Sequence, residues 1–207
     1  MDNYNISVVV PCHNLENFIK ALLTSLKAQD LGGYTAEYIF VLDACEDNTE
    51  EVIKASGLKC TILKADYHSC GLSRNLGMDF ATGEYIWFMD GDDWIIGNDA
   101  IKTALDFAYQ NKANIIRVEF DHTKYYWAYF SMVWQYLFKR SFVKNIYFDE
   151  RQPAEDDRWM KRVLGKVGLD DRTYMTLPSI LKPLYYYNYG REGSNMMLYW
   201  EEQNKGK

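Results

Sequence analysis

The feature that most constrains this chain is an alternation. Short apolar runs take turns with segments whose apolar residues recur every three or four positions. Ile6–Val10 is a β-branched run stopped by Pro11, and Phe18, Leu22, Leu23 and Leu26 follow at helical spacing up to Gln29. Tyr38–Leu42 is a second run; Asp47 to Glu50 is a helix start, and a helix passes through Val52 and Ile53 to Gly57. Cys60–Leu63, Tyr85–Met89 and Ile115–Phe120 read as further strands, with helices over Leu72–Ala81 and Ile101–Tyr109. The strands are apolar throughout, as they are when helices cover both faces of a parallel sheet. The pattern predicts a doubly wound, mostly parallel α/β domain.

The last third breaks this rhythm. Tyr125–Phe138 is rich in aromatic residues, Pro153–Val167 reads as a helix, and Tyr185–Tyr189 as a late strand. No linker rich in Pro, Gly or Ser divides the 207 residues, so one domain over residues 1–200 is expected, with a polar tail over 201–207. Acidic residues number 29 against 23 basic, a net charge of −6, which disfavours nucleic acid as the main partner. The start carries no basic segment followed by an apolar one, and no apolar run approaches the ~20 residues of a spanning helix. The four cysteines lack zinc-ligand spacing and read as reduced thiols of a cytoplasmic protein.

In an open α/β sheet, ligands bind beyond the carboxyl ends of the strands, where the winding reverses. Acidic residues gather at those ends. Asp43 follows the second strand, and Asp90-Gly91-Asp92-Asp93 follows the fourth. Three carboxylates in four residues repel unless a cation or hydrogen-bond donors compensate, and all-oxygen ligands suit Mg²⁺ or Mn²⁺. The same four residues also make an exposed turn. Asp43 could accept from a ring N–H of a base such as uracil, or cap a helix, although Asp47 is better placed for capping. Arg74 is compatible with a phosphate or base contact and with an ordinary surface position. Glu155-Asp156-Asp157, read alone, offsets the dipole of the helix it opens.

These segments together resemble the family 2 glycosyltransferases. Ser7-Val8-Val9-Val10-Pro11-Cys12-His13-Asn14 is similar to their opening strand and turn, and Val41–Thr49 to the segment whose strand-end Asp contacts the base. Gly71-Leu72-Ser73-Arg74-Asn75-Leu76-Gly77 resembles the helix start that meets the nucleotide. Gly83–Asp93 resembles the strand leading to the metal-binding Asp-x-Asp motif. Val133–Arg140 resembles the acceptor-side helix, Glu155-Asp156 the late pair carrying the catalytic base, and Tyr187–Ser194 the closing strand and loop. His13 stands where a tyrosine is commoner, Leu42 replaces the first of a frequent Asp pair, and Ala44-Cys45 replaces Gly-Ser.

The resemblance implies a single-domain GT-A fold, Rossmann-like, and inverting transfer from a nucleotide sugar, a UDP-sugar above all, to a hydroxyl. Asp156 would be the base and Glu155 its neighbour orienting the acceptor. Pro11, Asn14, Asp43, Arg74, Asp90 and Arg191 would bind the donor, and Asp92 with Asp90 would hold Mn²⁺ or Mg²⁺. Arg191 is equally compatible with an exposed loop. The acceptor would be a glycan, a lipid-linked species or another hydroxyl compound. The alternatives are a nucleotidyltransferase of related fold and a non-catalytic nucleotide-sugar or carbohydrate-binding module. Tyr125–Phe138 is expected to pack in the core for the most part. It also leaves open an acceptor platform at Trp127 or Trp134, and contact with the inner face of a membrane.

Overall fold

The computed structural model describes residues 4–121, 132–150, 154–170, 173 and 176–188. The first half follows the alternation closely. Strand β1 (Ile6–Cys12) leads to helix α1 (Lys20–Lys27), β2 (Ala36–Asp43), α2 (Thr49–Ala55), β3 (Thr61–Ala65), α3 (Cys70–Phe80) and β4 (Tyr85–Phe88). A two-residue strand β5 (Trp94–Ile95), α4 (Ala100–Asn111) and β6 (Ile115–Asp121) follow. After a 3₁₀ turn at Val133–Gln135 come β7 (Tyr136–Lys139), α5 (Arg140–Val143), α6 (Glu155–Gly165) and β8 (Ser179–Tyr186).

The strands form one mixed sheet in the order β3-β2-β1-β4-β7-β6-β8-β5. β1, β2, β3 and β4 are mutually parallel, whereas β7 runs antiparallel to both β4 and β6. The chain winds outward from β1 to β3, then returns to the far side of β1 for β4. The winding therefore reverses between β1 and β4, where a ligand crevice is expected.

Successive residues of a strand face opposite ways, and both faces here are buried. Val8, Val10, Phe40 and Trp87 pack with Leu22 and Leu26 of α1 and Ile101 and Leu105 of α4. Val9, Ile39, Val41 and Phe88 pack on the other face with Met78 of α3 and Trp159, Met160 and Val163 of α6. This is why the strands read as continuous apolar runs. Gly77 lets α3 lie directly on β1, because a Cβ there would overlap the Val9 side chain. Gly77→Ala is accordingly expected to cost about 1–3 kcal/mol of stability through overpacking. A lower urea midpoint at an unchanged slope would register it.

The late part departs from the expectations. Val133–Lys139 is not a helix but a 3₁₀ turn running into β7, which inserts into the sheet, and Arg140 opens α5. Every residue from Val133 to Phe138 is buried. Trp134 lies between Tyr185 and Tyr187, with ring centroids 4.7 and 4.9 Å away and the planes within 20°. Its faces are thus covered by the protein's own rings, which corrects the acceptor-platform reading of Trp134, and the described part of the aromatic stretch is core rather than a membrane-facing surface. Trp127 lies outside the described residues, as do Arg191 and Pro153. The late strand also begins earlier than expected, at Ser179, and ends at Tyr186. Among the described residues no helix is long and apolar enough to cross a membrane.

Candidate active site

The loop after β4 is built by its own turn and by a distant strand. The Asp93 N–H donates to the Asp90 carbonyl at 3.2 Å, closing the turn. Gly91 sits against Leu15, whose side chain occupies the space a Cβ would need. The Tyr185 hydroxyl accepts from the Asp90 N–H at 3.1 Å and donates to Asp93 Oδ2 at 2.6 Å. Asn188 donates its N–H to Asp93 Oδ1 at 2.8 Å and its side-chain amide to the Asp92 carbonyl at 3.2 Å. Asp93 is thus spent on fixing the loop to the end of β8. Burial, with Asp92 and Asp90 adding repulsion, pushes its carboxyl well above the usual range. Of the three carboxylates, Asp90 and Asp92 remain as candidate ligands.

Helix α3 brings Arg74 to this loop. Ser69 caps the helix, its hydroxyl accepting from the Leu72 N–H. Gly71 admits the Asp149 carbonyl and the Glu155 side chain so closely that a Cβ would lie 2.8 Å from that oxygen. This brings the N-termini of α3 and α6 together. Asn75 reinforces the approach by donating to the Phe148 carbonyl and accepting from the Phe148 N–H, both at 2.8 Å.

At this junction the side chain of Arg74, 4% exposed, meets three carboxylates. Its Nη2 donates to Asp90 Oδ1 at 3.0 Å, and its Nη1 to Glu155 Oε1 at 3.3 Å and Asp156 Oδ1 at 2.6 Å. The other oxygen of Asp156 accepts from the Val133 N–H at 3.3 Å. The guanidinium also lies over the Phe148 ring, 5.5 Å from its centroid. Burial pushes the Asp156 carboxyl up to about 7, with Glu155 and Asp90 adding to the rise and Arg74 opposing it. Asp90 is raised for the same main reason, again opposed by Arg74. Glu155 and Asp156 therefore do more than offset a helix dipole.

The remaining expected donor residues share this end of the sheet. Pro11 is buried in β1 opposite Val41. Asn14, at φ 51°, uses its side-chain oxygen to accept from the Glu46 N–H. His13 Nδ1 donates to the Asp43 carbonyl at 2.7 Å, and the His68 ring lies 6.4 Å from it. Asp43 Oδ1 accepts from the N–H groups of Tyr67 and His68; Oδ2 accepts from the Ser69 N–H and the Ser73 hydroxyl. A carboxylate offers about four lone-pair sites, so a base N–H reaching Asp43 has to displace one of these bonds. Asp47 stands one residue before Asn48, the N-cap of α2, and accepts from the Thr49 N–H. Asn14, Ala44, His68 and Ala154 all sit in left-handed backbone conformations. Such conformations are costly for residues other than glycine, and they cluster at functional loops. A cavity of about 260 Å³ is lined by Leu42, Ala44, Cys45, Asp47 and Lys64 among others, and Asp43 does not line it.

Two supporting residues were invisible in the sequence: Tyr185, which looks like any strand tyrosine, and Val133, which acts through its main chain. Asn75 and Asn188 lay inside recognised segments but carried no signal of their own.

Residues 7–166 match the model of the family described as glycosyl transferase family 2. TarS of Staphylococcus aureus (strain Mu50 / ATCC 700699), a poly(ribitol-phosphate) beta-N-acetylglucosaminyltransferase, is 30% identical over 117 residues. Those residues are 55% of this chain and 20% of TarS, so the match spans about a fifth of that relative. The crystal structure of S. aureus TarS 1-349 in complex with UDP-GlcNAc aligns at a TM-score of 0.79 and 22% identity, covering 93% of this chain and 60% of that one. Mannosyltransferase PcManGT from Pyrobaculum calidifontis, in complex with GDP-Man and Mn²⁺, aligns at 0.67 and 16% identity, covering 93% and 59%. At these identities the structural likeness is one of fold.

Proposed function

The chain belongs to glycosyl transferase family 2, and on that premise we propose that it moves a sugar from a UDP-sugar to an acceptor hydroxyl with inversion at the anomeric carbon. One observation carries the reading. Asp90, from the loop where donor phosphates are expected, and Asp156, the candidate base, meet on a single buried guanidinium. Carboxylates 66 residues apart in sequence are thereby held in one site.

The acceptor hydroxyl is a poor nucleophile until a base within hydrogen-bond reach takes its proton. Asp156 accepts that proton as the acceptor oxygen attacks the anomeric carbon; the bond to the donor diphosphate breaks, and its electron pair leaves with the UDP. A single carboxylate on the face opposite the leaving group gives inversion, so an α-linked donor yields a β-linked product. Glu155, next to the base and on the same arginine, orients the acceptor.

The donor set fits a hard divalent cation. Asp90 and Asp92 offer oxygen ligands alone, and burial, with repulsion from Asp92, raises the Asp90 carboxyl even against Arg74. Mg²⁺ and Mn²⁺ take such oxygen ligands while keeping waters and binding substrate phosphates. When bound, such an ion neutralises the leaving diphosphate. The Mn²⁺ in the PcManGT complex and the UDP-GlcNAc in the TarS complex support this assignment. The name of TarS favours a polymeric polyol-phosphate as one class of acceptor to test.

The rate should follow the ionisation of Asp156. The base works only when deprotonated, so kcat rises with pH through about 7 and falls roughly tenfold per unit below it. A pH–rate profile under saturating donor checks this, and a flat profile between pH 5 and 8 would count against the assignment. The donor class is tested by a thermal-shift panel of UDP-, GDP- and dTDP-sugars with and without Mn²⁺, followed by assay of nucleotide release. A cognate ligand at 100 times its Kd stabilises by ~2.7 kcal/mol. Stabilisation by UDP-sugars with Mn²⁺, and release of UDP, are the expected results. No stabilisation by any nucleotide would overturn the reading.

A further inference from the structure

We propose that Arg74 is a positioning residue for transfer: it holds the donor-side carboxylate Asp90 and the base-side pair Glu155 and Asp156 in one fixed arrangement, and acts on the reaction through Asp156 without touching the donor. The proposal rests on the transferase reading above and assigns Arg74 a role different from the donor contact that the family resemblance implies.

Its geometry is specific. The two terminal nitrogens of Arg74 reach carboxylates from two separate elements, the loop after β4 and the first turn of α6. Both anchors are stiff. Asp90 is pinned through its N–H by Tyr185, while Glu155 of α6 packs close to Gly71 of α3 and Asn75 holds Phe148, ahead of α6, to the same helix. Arg74 itself is buried over Phe148 and seated on a helix packed against β1. Both terminal nitrogens are on carboxylates and the side chain is 4% exposed; its Nε is buried without a partner among the described residues.

The charge arrangement gives the role its chemical content. One cation faces three carboxylates, and the groups around Asp156 are Arg74 and Cys70 from α3, Asp90 from the β4 loop and Glu155 from α6. Arg74 and, more weakly, the Val133 N–H favour the ionised form of Asp156, and Glu155 and Asp90 oppose it. Lysine retains the charge but presents a compact ammonium in place of a planar fork, so it cannot serve both sides at once.

The test compares Arg74→Lys with the parent protein in three measurements: the Kd for UDP with and without Mn²⁺, the donor KM with kcat, and the pH–rate profile. UDP binding and donor KM are expected to stay within about twofold, while kcat falls by about tenfold or more and the acid limb moves to higher pH. A tenfold loss of UDP binding with an unmoved acid limb would make Arg74 a donor ligand and overturn the proposal. An unchanged kcat and acid limb would overturn it as well. Should Arg74→Lys fail to fold, Glu155→Gln carries the test. Removing one competitor for the guanidinium and one negative neighbour should move the acid limb of Asp156 to lower pH, and an unmoved limb would overturn the proposal. Turnover of UDP-sugar by the parent protein separates the two readings. Its absence overturns the transferase reading and this proposal together, whereas its presence with either adverse Arg74 outcome overturns this proposal alone.

Discussion

Asp156→Asn is expected to lower kcat by roughly 10²–10⁴-fold, the range for loss of a general base, while UDP binding stays nearly intact. The substitution is close to isosteric. The asparagine oxygen can still accept from the Val133 N–H or from Arg74, and Arg74 keeps Asp90 and Glu155 as partners, so no buried charge is abandoned. What disappears is a group able to take the acceptor proton. The acid limb of the pH–rate profile should disappear with it, because the group that gives rise to it is gone. Single-turnover measurements at matched donor saturation, alongside UDP titration, separate the two effects. Ordinary turnover by the variant would show that Asp156 is not the base.

Asp92→Ala should act on the other half of the site. Donor affinity in the presence of Mn²⁺ is expected to fall by about tenfold or more, the scale on which losing part of a metal-binding shell acts. UDP binding without metal should change little. The fold should tolerate the change, because Asn188 is held by the Asp92 main-chain carbonyl, which alanine retains. Asp93 is the contrasting case: its carboxylate holds Tyr185 and Asn188, so its removal strikes the loop itself. Calorimetric titration of UDP-sugar with and without Mn²⁺ reads the difference directly. Equal metal-dependent affinity in Asp92→Ala and the parent would remove Asp92 from the metal assignment.

The fold was legible where local pattern and tertiary burial agree. β1, β2 and β4 are buried on both faces, so their uninterrupted apolar runs announce central parallel strands. Tyr136–Lys139 gave no such signal. It is a four-residue antiparallel insert whose partners in β4 and β6 are distant in sequence, and its aromatic residues suit a helix face as well as a strand. Trp134 stayed open between core and acceptor platform for a related reason: the rings stacked on it, Tyr185 and Tyr187, lie some 50 residues away.

The candidate site was legible as a set of residue types at strand ends and at a helix start. Asp90, Asp92, Glu155 and Asp156 could be picked out because carboxylates crowd there against their own repulsion. How they are joined could not be read. Arg74, alone in sequence, has the default of a surface arginine, and only the meeting of α3 with α6 shows it buried among three acids. Asp43 was located correctly at the end of its strand, but its four internal hydrogen bonds come from the loop Tyr67–Ser69 and from Ser73 of α3, more than 20 residues later.

The central claim is that one carboxylate base directs attack from the side opposite the leaving nucleotide. The most direct measurement is the anomeric form of the sugar first released from an α-linked UDP-sugar with water as the acceptor, followed by proton NMR before mutarotation. The account predicts the β-anomer first, relaxing later to the equilibrium mixture. The α-anomer appearing first would contradict it.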